Sequence, residues 1–209
     1  MPPIVVIAPE STSYQIVQRV ATELGIQDKI LLHLTGLSRS LSVARKAEEE
    51  GAYVIVARGW SANQIVEAGI RTPLVFLPIS MQDLVYVLDQ ALVKAAKPNP
   101  RVGFIVYPQL QKELEALSSL LHVDLRIYPS GSDKEDMRRA IAQAVRDKVD
   151  VFIGGETSIA MAESMGLCCQ LLVCDEMSIR QALLEAKRIV YARELEQAQS
   201  LKFKTVIEH

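Results

Sequence analysis

Two segments of this sequence, Arg58-Gly59-Trp60-Ser61 and Gly154-Gly155-Glu156-Thr157, carry residue types that invite chemistry. Each follows a short apolar run and precedes a helix-period stretch, so each sits where a strand hands over to a helix. Backbone N–H groups and the helix dipole at such a point favour an anion. Arg58 adds a planar fork suited to a carboxylate or phosphate, Gly59 permits close approach, and Ser61 supplies a hydroxyl. In the ordinary alternative Ser61 only caps the helix and Arg58 pairs with a surface acid. In the second segment Thr157 is the expected cap, and Glu156 either accepts hydrogen bonds from a ligand hydroxyl or is solvated. Trp60, the one tryptophan of the chain, stacks on a ligand, closes over a cleft, or makes an interlobe or dimer contact.

Other reactive residues point away from catalysis. Cys168, Cys169 and Cys174 crowd one apolar segment and read as buried, reduced core thiols. Neighbours on a strand face opposite ways, so Cys168 and Cys169 do not share a metal. His33 lies inside an apolar run and reads as a core histidine, His122 follows a helix, and His209 is terminal. The sequence has no G-x-x-x-x-G-K-[ST] loop, no G-x-G-x-x-G after its first strand and no G-x-S-x-G elbow. A receiver domain would need a phospho-accepting Asp where Arg58 stands. The expectation is a binding protein, not an enzyme, with no cofactor and no metal. The alternative is a cleft enzyme of racemase or lyase type acting on a small carboxylate. A two-cysteine racemase needs one cysteine in each half, and all three lie in the second.

These residues are positioned by an alternation of strands and helices that predicts a parallel sheet. Strands are expected at 4–8, 30–34, 53–57 and 73–77, with helices between them and a long amphipathic helix after the fourth. Lys97-Pro98-Asn99-Pro100 then interrupts the chain, because two prolines cannot continue a helix. The alternation restarts, with strands expected at 102–106, 123–128, 151–153 and 170–173. The order strand, glycine-bearing loop, short helix, glycine, strand, amphipathic helix occurs at 53–83 and again at 150–179, which marks either a duplication or a convergence forced by the shared architecture. The fold class is α/β, with two doubly wound, Rossmann-like lobes facing across a ligand cleft. The division is 1–97 for the first lobe, 98–190 for the second, and 191–209 for a C-terminal output or linker helix. Ligands of open parallel sheets bind outside the carboxyl ends of the strands. The strand-to-helix loops therefore add Glu10, Ser11, Ser80 and Tyr107 to Arg58, Gly59, Trp60, Ser61, Gly155, Glu156 and Thr157 as candidate ligand contacts.

A net charge of -2 over 209 residues offers no basic face for nucleic acid. No apolar run approaches the roughly 20 residues that span a bilayer, and the run at 4–8 is too short for a signal-peptide core. A cytoplasmic protein is expected, with no membrane contact. Beyond Val190, Tyr191, Leu195, Ala198 and Leu201 extend an apolar stripe that either dimerises, leads to a further domain, or packs on its own lobe.

Arg58-Gly59-x-Ser61-Ala62 resembles the R-G-G-T-A segment of the N-terminal sensory domain of propionate catabolism activators. Pro73-Leu74-Val75-x-x-Pro78-Ile79-Ser80-x-x-Asp83 is similar to that family's P-V-V-x-I-P-V-S-x-x-D segment. Gly154-Gly155 and Ala182-Leu183-x-x-Ala186 fit as well, so the resemblance covers nearly the whole chain. It implies a ligand-sensing module of a sigma-54-dependent, NtrC-type transcription activator. The partners implied are a small anionic metabolite, a second copy in a homodimer, and the ATPase and DNA-binding domains of a full-length regulator. Those last two domains are not in this chain, which is then an excised sensor or a stand-alone relative. Trp60 stands where the family has its second glycine, and Ser61 where it has threonine. The fold carries over across these changes, but the family's methylcitrate-type tricarboxylate effector does not.

Overall fold

The computed structural model describes residues 2–106, 110–131 and 133–207, without the side chains at 37, 38 and 201–207. Among them, eight strands form two four-stranded parallel sheets. The first contains β1 (Ile4–Ala8), β2 (Ile30–Leu34), β3 (Val54–Ala57) and β4 (Leu74–Phe76) in the order β2-β1-β3-β4. The second contains β5 (Arg101–Val106), β6 (Asp124–Pro129), β7 (Val151–Gly154) and β8 (Cys169–Leu171) in the order β6-β5-β7-β8. The same order in both sheets confirms the repeated architecture read from the sequence. Central strands β1, β3 and β7 are buried along their whole length, as parallel strands covered on both faces must be. Strand β2 is apolar too, but it lies at an edge and is only half-buried, and His33 with it.

The helices are α1 (Ser11–Glu23), α2 (Leu37–Glu49), α3 (Gly59–Glu67), α4 (Met81–Ala95), α5 (Gln111–Leu121), α6 (Lys134–Arg146), α7 (Glu156–Ser164) and α8 (Glu176–Ile207). Two of them do not stay with the sheet that precedes them. Helix α4 follows β4 in the chain yet packs on β5, β7 and β8 of the second sheet. Its buried Leu84, Val87, Leu88 and Ala91 join Val102, Phe104, Val106, Val151 and Ile153 in one core. Helix α8 follows β8 yet packs on α1 and on β1, β3 and β4 of the first sheet, burying Ile179, Ala182, Leu183, Ala186 and Val190.

The compact units therefore differ from the expected halves. One unit comprises Met1–Arg58, Gln64–Pro78 and Glu176–His209; the other comprises Gly59–Asn63 and Ile79–Asp175. The 97/98 boundary is not where they divide, because an amphipathic stripe declares that a helix has a buried face without naming the sheet it buries against. No break falls at Val190 either: α8 runs on as one helix, with Tyr191 and Leu195 exposed. Its extension is tied to the first unit by Lys29 Nζ to Glu194 at 2.6 Å and by the Tyr53 hydroxyl donating to Gln197 Oε1 at 3.0 Å. No helix among the described residues is long and apolar enough to cross a membrane.

Candidate functional site

In the first unit, β1 and β3 are hydrogen-bonded neighbours, so the residues just past their carboxyl ends are neighbours as well. After β1 comes Glu10, the extended N-cap residue of α1, and after β3 comes Arg58, the extended N-cap residue of α3. Arg58 Nη1 lies 3.8 Å from Glu10 Oε1, with both side chains about nineteen-twentieths buried. That distance makes an ion pair but not a hydrogen bond. Glu10 Oε1 accepts its hydrogen bond from the Ser13 hydroxyl instead, folding the carboxylate over the first turn of α1. Glu10 Oε2 is buried and has no hydrogen-bond partner among the described residues. Arg58 is thus neither a solvent-facing clamp nor the partner of a surface acid. Taking two charges out of water costs several kcal/mol each, so each holds the other in place. Ser11 is exposed at the same helix start.

Gly59 opens α3 with φ of +63°, a left-handed conformation that a side chain would strain. Trp60 and Ser61 are buried and group with the second unit.

In the second unit, Ser80 is the N-cap of α4 and forms a full capping box. Its hydroxyl accepts from the Asp83 N–H at 3.0 Å, and Asp83 Oδ2 accepts from the Ser80 N–H at 2.8 Å. The Ser80 hydroxyl also reaches Asp175 Oδ2 at 3.4 Å, and Asp83 Oδ1 accepts from the Asp175 N–H at 2.7 Å. Ser80, expected to touch ligand, is engaged in structure. Asp83 and Asp175 were missed as members of this cluster, although S-x-x-D is itself a capping signature.

At the repeat of the Arg58 segment, Gly155 and not Thr157 is the N-cap of α7, and no side chain caps the helix. Glu156 is exposed, Thr157 half-buried, and the buried Ser158 donates its hydroxyl to the Gly155 carbonyl at 2.8 Å. The two adjacent glycines serve different ends. A Cβ at Gly154 would collide with Ser158 Oγ and lie 2.9 Å from Ile105 Cγ2, whereas one at Gly155 would meet nothing within 4 Å. The fold requires the first and leaves the second open. Tyr107 lies outside the described residues.

Two titratable groups outside these loops are displaced from their ordinary values. Burial, with Lys46 and Arg39 nearby, lowers the His33 pKa. Burial, with Glu163 and Cys168 nearby, pushes the Cys169 thiol up to about 11. Cys174 is buried, but Cys168 is exposed, contrary to the expectation of three core thiols. It immediately precedes Cys169 on β8, and successive side chains alternate in direction, so the core receives one of the two. Among the described residues no group of three or more His, Cys, Asp or Glu is placed to hold a metal ion.

Comparison with known proteins is consistent with this architecture. The family model described as propionate catabolism activator matches residues 25–196. A solved NtrC family transcriptional regulator from Clostridium acetobutylicum is 17% identical, with 91% of this chain and 97% of that one covered at a TM-score of 0.78. A looser likeness in fold joins 91% of this chain to 84% of an ABC domain from Streptococcus pneumonia, solved in complex with L-Trp. That pair is 12% identical with a TM-score of 0.50. Comparison with curated protein sequences returns no match.

Proposed function

Because the chain belongs to the propionate catabolism activator family, as a regulatory sensory domain, we propose that it senses a small organic acid. The effector binds at the loops beyond the carboxyl ends of the strands, with Arg58 as its main cationic partner. The uncapped starts of α1 and α3 supply N–H donors beside it, with Ser11 at the rim; Gly155, Glu156 and Thr157 at the uncapped start of α7 are the corresponding candidates in the second unit. The observation that carries this reading is the buried guanidinium of Arg58, held beside Glu10 past the ends of the two central strands of the first sheet. Helix α8 supports a route for the signal, since it packs on β1 and β3, the same strands that end in Glu10 and Arg58. A shift at those ends changes the seat of α8, whose extension passes it to the ATPase and DNA-binding domains of a full-length regulator. We place the protein in the cytoplasm, as a homodimer without catalytic activity of its own.

A thermal-shift panel of small carboxylates and acyl-CoA esters tests the proposal. An effector at 100 times its dissociation constant adds about 2.7 kcal/mol, a clear rise in midpoint. Arg58→Gln, which retains a donor for Glu10, abolishes that rise relative to the variant's own baseline. A panel silent throughout, or a hit indifferent to this change, would sink the reading.

A further inference from the structure

Glu10 is the one charged residue among those described with a buried side-chain atom that lacks a hydrogen-bond partner, and its position bears on the chemistry of the effector. Of its two carboxylate oxygens, Oε1 takes one hydrogen bond from Ser13 and faces Arg58 at 3.8 Å. The other, Oε2, is buried with no donor at all among the described residues. A carboxylate can accept about four hydrogen bonds, and leaving a buried one this far short is costly unless something else completes it.

A cavity of about 10 Å³ lined by Ala8, Ser13, Ala57 and Leu77 among others holds at most one water, and neither Glu10 nor Arg58 is in its lining. Helix α1 opens next to Glu10 with Ser11 and Thr12, both exposed, so solvent, and with it a ligand, comes up to the residue beside Glu10.

The charge count chooses the donor. A plain carboxylate brought to Arg58 sets a second negative charge beside Glu10, with like charges sharing the guanidinium. A hydroxyl on the ligand would satisfy Oε2 without relieving that repulsion. An ammonium group does both.

We propose that the effector is an α-amino acid, its carboxylate held by Arg58 and its ammonium group by Glu10. This rests on the organic-acid reading above and narrows it to a zwitterion.

Titration calorimetry of the whole chain against matched triplets tests it: propionate, lactate and alanine; succinate, malate and aspartate; glutarate, 2-hydroxyglutarate and glutamate. In the best-binding triplet the amino member is expected to bind about tenfold or more tighter than both companions, the size of one charge-assisted hydrogen bond. A plain or hydroxy acid that equals or exceeds its amino companion overturns the inference while the organic-acid reading stands. Silence of all nine overturns both. Glu10→Gln keeps the shape and removes the charge, so it should reduce the amino preference to about twofold while plain-acid binding tightens, the like charge beside Arg58 being gone; an undiminished preference again overturns the assignment. The wild-type comparison decides by itself if that variant does not fold.

Discussion

Asp83 Oδ1 accepts the backbone N–H of Asp175 at 2.7 Å, joining positions 92 residues apart. Besides the short excursion at Gly59–Asn63, the chain leaves the first unit after Pro78 and returns to it after Asp175, the two passages that bound its long excursion. One buried carboxylate thus ties together the two passages, while its other oxygen completes the capping box of α4. Asp83→Ala should cost about 2–3 kcal/mol, a lost cap plus a lost buried hydrogen bond. Asp83→Asn, which keeps one acceptor oxygen, should lose about half as much. Urea unfolding measures both, and a change below 0.5 kcal/mol for alanine would show the link to be idle.

Arg58 and Glu10 should behave as one unit in stability. Removing Arg58 leaves the Glu10 carboxylate buried without its ion-pair partner, a loss of about 3 kcal/mol or more. The double variant Glu10→Ala with Arg58→Ala should lose no more than the worse single one, because no orphaned charge remains. Additive losses in denaturant unfolding would mean that the 3.8 Å pair is incidental.

Acid stability should depend on the start of β5. Asp150 accepts from the Arg101 N–H at 2.7 Å and pairs with Lys97 at 2.6 Å, and Arg101 Nε donates to Asp124 at 2.9 Å. The Lys97 hydrogen bond first, then the Arg101 N–H, lowers the Asp150 pKa; the Arg101 side chain first, then Arg126, lowers that of Asp124. Both carboxyls sit below the ordinary 3.8 when folded. Their stabilisation is therefore complete above that value and disappears as pH falls through the folded pKa. Asp150→Asn should be less stable than the parent at pH 6 and converge with it in strong acid. Both groups are partly exposed, so added salt should shrink the difference. Parallel curves would exclude the ion pair as the cause.

Gly154 and Gly155 separate folding from binding. Gly154→Ala should destabilise by about 1–3 kcal/mol through its clash with Ser158 and Ile105. Gly155→Ala has open space and an ordinary φ of −79°, so its stability should stay within about 0.5 kcal/mol. If an effector approaches the start of α7, Gly155→Ala should still weaken its binding severalfold. Calorimetry on a folded variant that binds as the parent does would remove α7 from the site.

The strands, their order of appearance and the repeat were legible because buried parallel strands leave continuous apolar runs, as Ile4–Ala8 and Arg101–Val106 do. Glu10 and Arg58 were legible as residues at strand ends, but not as a pair. Nothing local reveals that β1 and β3 are neighbours, with β2 displaced to the edge. The caps were misread where the hydroxyl lay one or two residues inside the helix, as with Thr157 in α7, because the turn geometry at Gly155 decides which residue stays extended. The exchange of α4 and α8 left no trace in either helix, since its cause is the partner sheet.

That exchange has a bearing on ancestry. The stretch β1 to α4 is one copy of the repeat, yet its closing helix covers the sheet built by the other copy, and α8 returns the favour. A gene encoding a single copy would leave one face of its only sheet bare and its last helix unsupported. Two such chains, trading their final helices, would repair both defects at once. If the two halves arose by duplication, a helix-swapped dimer is the natural forerunner of this architecture. Gene fusion would then have made permanent, within one chain, what had been an agreement between two.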